Sequence, residues 1–148
     1  MIELVATVVI TLSSVLLFGY WFRYTCLLIL STKTAWDYAG QVAAQNQLGF
    51  LEVQLQLQAN STALDTLRTT LDRDYAVLSR LLQVTESAEG LAIENRMLDV
   101  NYRLNAMWYR AASGFAPASA RKALQEMSMV IAHLANALGE TAASSAAA

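Results

Sequence analysis

The single histidine of the chain, His133, is the first residue that could hold a cofactor. Imidazole and methionine thioether groups are ligands of haem and copper, and Met127 and Met129 are close to His133 in sequence. A lone histidine on a helix is, however, more typical of a polar residue at the edge of a bundle. The sequence therefore predicts no cofactor and no metal site. A small electron-transfer subunit that uses His133 stays as an alternative.

Two other patterns could carry chemistry. Ser119 and Lys122 have the S-x-x-K spacing of some serine acyl-transferring enzymes, but the companion S-D-N and K-T-G elements are absent. Asp72 and Asp74 could bind a hard cation, yet carboxylates two residues apart on a helix point to different faces. The chain also has no Gly-rich phosphate loop and no cluster of Cys or His. We therefore expect a protein that is not an enzyme.

Residues suited to protein contacts are more numerous. Aromatic rings with a polar atom are frequent anchors of interfaces, although filling of the protein's own core is an alternative use. Four such rings are candidates for partner contacts: Trp36, Tyr38, Trp108 and Tyr109. The net charge is −2 and the cations are scattered singly, which gives no reason to expect nucleic acid. No small-molecule substrate is evident.

The elements that would position these residues begin with an apolar segment, Leu4 to Phe22, which contains no charged residue. A helix of this length spans roughly 30 Å, about the thickness of the hydrocarbon core of a bilayer. The sequence therefore predicts a single-pass transmembrane helix. A cleaved signal peptide is disfavoured, because the preceding residues carry Glu3 and no cation, and bulky aromatic residues follow the apolar run.

The residues after this helix suggest its orientation and its limit. The first cations, Arg23 and Lys33, place the C-terminal side in the cytoplasm and the N-terminus outside by the positive-inside rule. We expect the membrane interface at four residues: Tyr20, Trp21, Arg23 and Tyr24. Alternatively the membrane reaches Leu30, and Arg23 then lies in the apolar zone and needs a partner.

Small hydroxyl residues mark one face of the apolar helix. Thr7, Thr11 and Ser14 have the spacing that allows close approach of a second helix and hydrogen bonds between helices. They are the predicted sites of helix packing inside the membrane. Alternatively, they are ordinary hydroxyl residues that a membrane helix tolerates.

The rest of the chain is predicted to form one small helical domain, because it has few turn residues and one Pro. The predicted organisation is a transmembrane and juxtamembrane segment over 1–30, a cytoplasmic bundle over 31–140 and a low-complexity tail, frayed or disordered, over 141–148. Turn signals divide the bundle into four helices, at about 34–59, 62–85, 88–113 and 117–139. Helices with short connections pack as an antiparallel bundle.

Apolar residues at alternating steps of three and four predict the buried face of each helix, as in a coiled coil. In 88–113 they are Ile93, Met97, Val100, Leu104, Met107 and Ala111. In 117–139 they are Ala120, Leu124, Met127, Ile131, Leu134 and Leu138. In 62–85 they are Leu64, Leu67, Leu71, Leu78 and Leu81. Asp74 interrupts this last set, and we expect it to pair with an arginine such as Arg103 or Arg110.

The first bundle segment is the least regular. Residues 48–58 mix helical spacing with the alternation of a strand, and Gln and Ala favour helix. Between the apolar segment and residue 59 the sequence has no Pro, and its glycines are Gly40 and Gly49. The first bundle helix could therefore be continuous with the membrane span.

The fold expected from the sequence is all-α, with one transmembrane helix followed by a bundle of about four helices. The function expected is that of a non-catalytic accessory, assembly or scaffold subunit of a larger membrane complex, whose partners are integral membrane subunits and lipid. A homo-oligomer and a signalling module that transmits a change across the membrane are alternatives. An excess of Arg over Lys together with abundant Ala points to a GC-rich bacterial genome. The location expected is therefore the inner membrane of a bacterium.

Overall fold

The computed structural model describes residues 1–32, 36–85 and 89–148. Of these residues 87% are helical and none is in a strand, which confirms the all-α prediction. The helices are α1 (Ile2–Ser31), α2 (Ala39–Asn46), α3 (Phe50–Gln58), α4 (Leu64–Thr85), α5 (Glu89–Ala112) and α6 (Pro117–Ala147). The chain divides into two units, Met1–Thr32 and Lys33–Ala148. The second unit is a bundle of α2 to α6.

Helix α1 ends where the backbone of Thr32 becomes extended, with φ −66° and ψ 125°. The N–H of Thr32 donates to the Ile29 carbonyl oxygen at 3.2 Å, and its hydroxyl donates to the same oxygen at 2.6 Å. These bonds satisfy a carbonyl that the end of a helix leaves without a partner. A rod continuous over residues 4–59 was therefore a wrong expectation. Lys33, used above for the orientation, lies outside the described residues.

The first bundle segment forms two helices instead of one. Gln47 adopts a left-handed conformation, φ 54°, which ends α2, and the N–H of Leu48 donates to the Ala43 carbonyl oxygen at 2.9 Å. Helix α3 starts at Phe50, so most of residues 48–58 is helical as expected. Asn60 repeats the left-handed conformation, φ 56°, after α3. Among the described residues the bundle therefore has five helices, where about four were expected.

Helix α6 is the centre of the bundle and packs against α2, α3, α4 and α5. Its predicted apolar face is confirmed, with Leu124, Met127 and Ile131 fully buried. Burying a side chain of this size contributes roughly 1.5–3 kcal/mol. The helix also continues to Ala147, so the expectation of a frayed tail over 141–148 was wrong. The Ala residues of the tail are strong helix formers.

Helix α4 buries Leu67, Leu71 and Leu78, as its spacing predicts. Asp74 is fully buried on the same face. Its carboxylate accepts the N–H of Gly49, just before α3, at 2.7 Å, and it pairs with the neighbouring Arg73 at 3.2 Å. The start of a helix carries partial positive charge, so this carboxylate stabilises the start of α3. The expected pairing of Asp74 with Arg103 or Arg110 was therefore wrong.

Candidate interaction surface

The orientation of α5 is set by hydrogen bonds between tyrosines and aspartates that join it to α4. Tyr109 donates to Asp65 at 2.6 Å, and Tyr102 donates to Asp72 at 2.9 Å. Farther along α4 the roles are exchanged, and Tyr75 of α4 donates to Asp99 of α5. The residue numbers fall along α5 as they rise along α4, so the two helices are antiparallel. We call these three pairs the tyrosine ladder.

Aromatic rings fill the space between the two helices at the ladder. The rings of Tyr75 and Tyr102 stack with their centres 4.0 Å apart and an angle of 7° between their planes. The guanidinium of Arg68 lies 5.4 Å from the centre of the Tyr109 ring, a cation–π distance. Among the described residues, no Cα atom of α4 lies within 8 Å of a Cα atom of α5. The ladder side chains therefore bridge a gap that the backbones leave open.

The ladder tyrosines keep their protons at neutral pH. Burial, followed by the hydrogen bond to Asp99, raises the pKa of Tyr75 from 10.0 to about 12. Burial and the bond to Asp65 raise the pKa of Tyr109 to about 12 as well. The pKa of Tyr102 is also raised, by burial and by the charge of Asp72. Neutral phenols that donate to carboxylates hold two helices together, whereas a general base near neutrality would need a lowered pKa.

The face of α5 turned towards α6 combines polar and apolar residues. Asn101 and Asn105 are buried there beside Leu98 and Ala112. The amide of Asn105 donates to the Asn101 carbonyl oxygen at 3.0 Å and to the Glu126 carboxylate of α6 at 3.2 Å. These bonds satisfy polar groups that would otherwise destabilise a buried interface. The inward face of α5 therefore differs from the one that apolar spacing predicts.

The predicted apolar face of α5 is turned to the outside, which corrects the expectation that it is buried. Ile93 is 64% exposed and Met107 is 65% exposed, and Val100 and Leu104 are about half exposed. The physical reason is that Tyr and Asn side chains of α5 find carboxylate partners on α4 and α6, and these partners fix the other face inward. We call these outward residues, together with the half-buried Met97, the α5 stripe: Ile93, Met97, Val100, Leu104 and Met107.

Of the four aromatic residues expected at partner contacts, two are exposed. Trp36 is 72% exposed, and Trp108, beside the α5 stripe, is 52% exposed. Tyr109 is only 2% exposed and belongs to the tyrosine ladder, so its expected role in partner binding is corrected to internal packing. Tyr38 is half-buried, and a Cβ placed on Gly139 of α6 would lie 2.3 Å from the Tyr38 Cβ. The absence of a side chain at Gly139 is therefore what lets α6 approach Tyr38.

Helix α1 is long and apolar enough to span a membrane, and none of its apolar window is buried within the protein. Thr7, Thr11 and Ser14 each donate their hydroxyl to the carbonyl oxygen four residues earlier, at 2.8 Å. A hydroxyl bonded in this way is compatible with lipid without a second helix. The prediction that these residues pack against another membrane helix stays a prediction.

The residues expected at the membrane interface lie in the second half of α1 and are exposed. The ring of Tyr24 stacks on Tyr20 at 6.4 Å and meets Trp21 edge-on at 6.5 Å. Arg23 is exposed between them in sequence. Aromatic rings and an arginine grouped at one level of a helix are typical of the boundary between lipid and water.

His133 is half-buried on α6. Burial lowers its pKa, and the charge of Glu94 on α5 acts in the opposite direction. Among the described residues, His, Cys, Asp and Glu form no group of three that could hold a metal ion.

Sequence reasoning missed the tyrosine ladder, although a signal for it exists. Asp65 and Asp72 are seven residues apart, and so are Tyr102 and Tyr109. Matching periods of donors and acceptors on two antiparallel helices predict repeated pairing. Comparison of the chain with family models, with curated proteins and with solved structures gives no match.

Proposed function

We propose that this protein is a non-catalytic accessory, assembly or scaffold subunit of a larger membrane complex. The observation that supports this function is that the chain exposes two apolar helical surfaces, the apolar window of α1 and the α5 stripe. Soluble monomeric proteins rarely expose large contiguous apolar patches, and such patches mark sites that contact lipid or other proteins.

In this proposal α1 anchors the protein in the inner membrane of a bacterium. The N-terminus is outside and the bundle is in the cytoplasm, as the positions of Arg23 and Lys33 favour. The partners of α1 are lipid and the helices of integral membrane subunits, with Thr7, Thr11 and Ser14 on the face that allows a close approach.

The bundle contributes through binding rather than chemistry. Two of its buried polar groups make structural contacts, Asp74 with the start of α3 and Asn105 with Glu126. The raised pKa values of Tyr75 and Tyr109 keep both phenols in the form that cannot act as a base near neutral pH. These features support a bundle whose polar residues serve its own architecture.

Purification of the tagged full-length chain from native membranes in a mild detergent tests the proposal. We expect the protein to elute in a complex much larger than the chain and its detergent micelle, with the same membrane subunits in fixed ratio over successive columns. A chain that elutes alone under all mild conditions would contradict the proposal. A complex containing only copies of this chain would support the homo-oligomer instead.

A further inference from the structure

The α5 stripe has the geometry of one half of a coiled coil. Its residues follow each other at steps of four, three, four and three along the helix. From Ile93 to Met107 the stripe is about 21 Å long at roughly 1.5 Å per residue. A second helix that crosses at a shallow angle can contact such a stripe over its whole length.

A row of arginines runs along one edge of the stripe. Arg96, Arg103 and Arg110 recur every seven residues, each directly before a stripe position or, for Arg110, before Ala111. All three are exposed, and Arg103 also pairs with Asp99 of its own helix at 3.0 Å. Residues at these positions of a coiled coil face the edge of the partner helix. The charge of this edge therefore favours a partner that is acidic beside its own apolar stripe.

A second copy of this chain does not supply those acids through the same stripe. Two antiparallel α5 helices would place one arginine row opposite the other, which is repulsive. In the parallel arrangement, Arg96 and Arg103 would face the positions of Asn101 and Trp108, and neither residue is an anion. The edge of α5 is therefore complementary to a different helix.

A lipid surface fits the stripe less well than a helix does. Helices that lie in the membrane interface have a broad apolar face, whereas the α5 stripe is bordered by the buried polar residues Asn101 and Asn105 on one side.

We infer that the α5 stripe is the docking site of an amphipathic helix that carries acidic residues beside its apolar face. This inference rests on the proposed function and names the chemistry of the partner that the bundle accepts. The apolar residues of the stripe provide the affinity, and the arginine row selects the charge of the partner and its register.

The binding test uses the full-length protein in nanodiscs of phosphatidylcholine and two labelled synthetic helices about four heptads long. Both peptides have Leu at the stripe positions, and the edge positions are Glu in one and Lys in the other. We expect the Glu peptide to bind about tenfold more tightly than the Lys peptide in fluorescence anisotropy, with a difference that shrinks as salt rises. Equal binding of the two peptides at low salt would overturn the inference.

Matched variants locate the binding site. Leu104→Asp is expected to weaken the Glu peptide at least tenfold, whereas Leu55→Asp, at a 61% exposed position of α3, is expected to leave it unchanged. Arg96→Glu with Arg110→Glu should reverse the preference between the peptides, and Arg80→Glu on α4 should not. Circular dichroism confirms that each variant is folded. Binding that survives Leu104→Asp would place the site elsewhere and overturn the inference.

Two further measurements distinguish other occupants. Acrylamide quenching of Trp108, with Trp21→Phe and Trp36→Phe, reports whether α5 lies on lipid. Shielding of Trp108 in phosphatidylglycerol nanodiscs without peptide would assign the stripe to the membrane, and a dimer dissociated by Leu104→Asp would assign it to a second copy. Either result would overturn the inference. The proposed function is tested separately, and a native complex that remains intact with Leu104→Asp would still support it.

Discussion

Helices α5 and α6 carry apolar residues at the same alternating steps, and the two helices use these residues differently. Leu124, Met127 and Ile131 of α6 are fully buried among four neighbouring helices, whereas Leu104 and Met107 of α5 are exposed. The side chains that α5 turns inward include hydrogen-bonded Tyr and Asn residues beside Leu98 and Ala112. Which face of a helix is buried therefore depends on which face finds partners, and apolar spacing alone does not decide it.

Two matched truncations test most directly whether α6 buries its apolar face and α5 does not. Leu124→Ala removes a fully buried side chain from α6 and is expected to cost about 2–5 kcal/mol of unfolding free energy. Leu104→Ala, at a 49% exposed position of α5, is expected to cost less than about 1 kcal/mol. Denaturant unfolding of the detergent-solubilised protein, followed by circular dichroism, measures both. Equal costs would mean that the α5 stripe is buried within the bundle.

Two glycine substitutions test how tightly α6 packs against Tyr38. Gly139→Ala would place a Cβ 2.3 Å from the Tyr38 Cβ, and we expect a loss of about 1–3 kcal/mol because backbone must move. Gly40→Ala in α2 meets no atom within 4 Å and should gain about 0.5–1 kcal/mol from helix propensity. The same unfolding experiment serves for both. A neutral Gly139→Ala would show a loose contact between α6 and Tyr38.

The tyrosine ladder can be weakened without removing apolar volume. Tyr102→Phe deletes the hydrogen bond to Asp72 and is expected to cost about 1 kcal/mol, since water can reach the partly exposed carboxylate. Tyr20→Phe, which alters an exposed ring of α1, serves as the control. Unfolding free energies decide the result. If the two variants were equally stable, the ladder would not be what holds α5 in its orientation.

Alkaline pH provides the gentlest test of the ladder. Because the folded-state pKa of Tyr75 is raised from 10.0 to about 12, its stabilising contribution is complete below pH 10 and is lost as the pH rises through about 12. Tyr109 follows the same window. We expect Tyr75→Phe to flatten this part of the stability profile. The difference in ultraviolet titration near 295 nm between the wild-type protein and Tyr75→Phe isolates this phenol among the six tyrosines of the chain. A difference centred near pH 10 would contradict the burial of Tyr75.

The sequence predicted the parts of the fold in which one strong signal acts alone. The apolar composition of α1 and the apolar face of α6 are examples, because in each case burial or lipid solubility dominates the free energy. The break at Gln47 was missed, because a left-handed conformation is marked most clearly by glycine and Gln47 adopts it without one. The break at Asn60 was expected, since a turn signal separates the predicted helices at 34–59 and 62–85.

The outward face of α5 was not predictable from α5 itself. Its inward side chains include Tyr102 and Asn105, and these polar groups are acceptable in the interior because Asp72 and Glu126 stand opposite them. This pairing is a relation between distant parts of the sequence, which periodicity within one helix cannot show. The candidate site was missed for the same reason. Its apolar residues were recognised in the sequence, but they were assigned to the core of the bundle, and only the structure shows that they face outward.

The tyrosine ladder separates two tasks that many helices must perform with the same residues. Polar pairs on one side of α5 maintain the fold, so residues on the opposite side are free to change with little loss of stability. A lineage could therefore exchange one binding partner for another by successive surface substitutions on α5, each tolerated by an unchanged bundle. Divergence among orthologues should then be fastest at the stripe and slowest at Asp65, Asp72, Tyr102 and Tyr109.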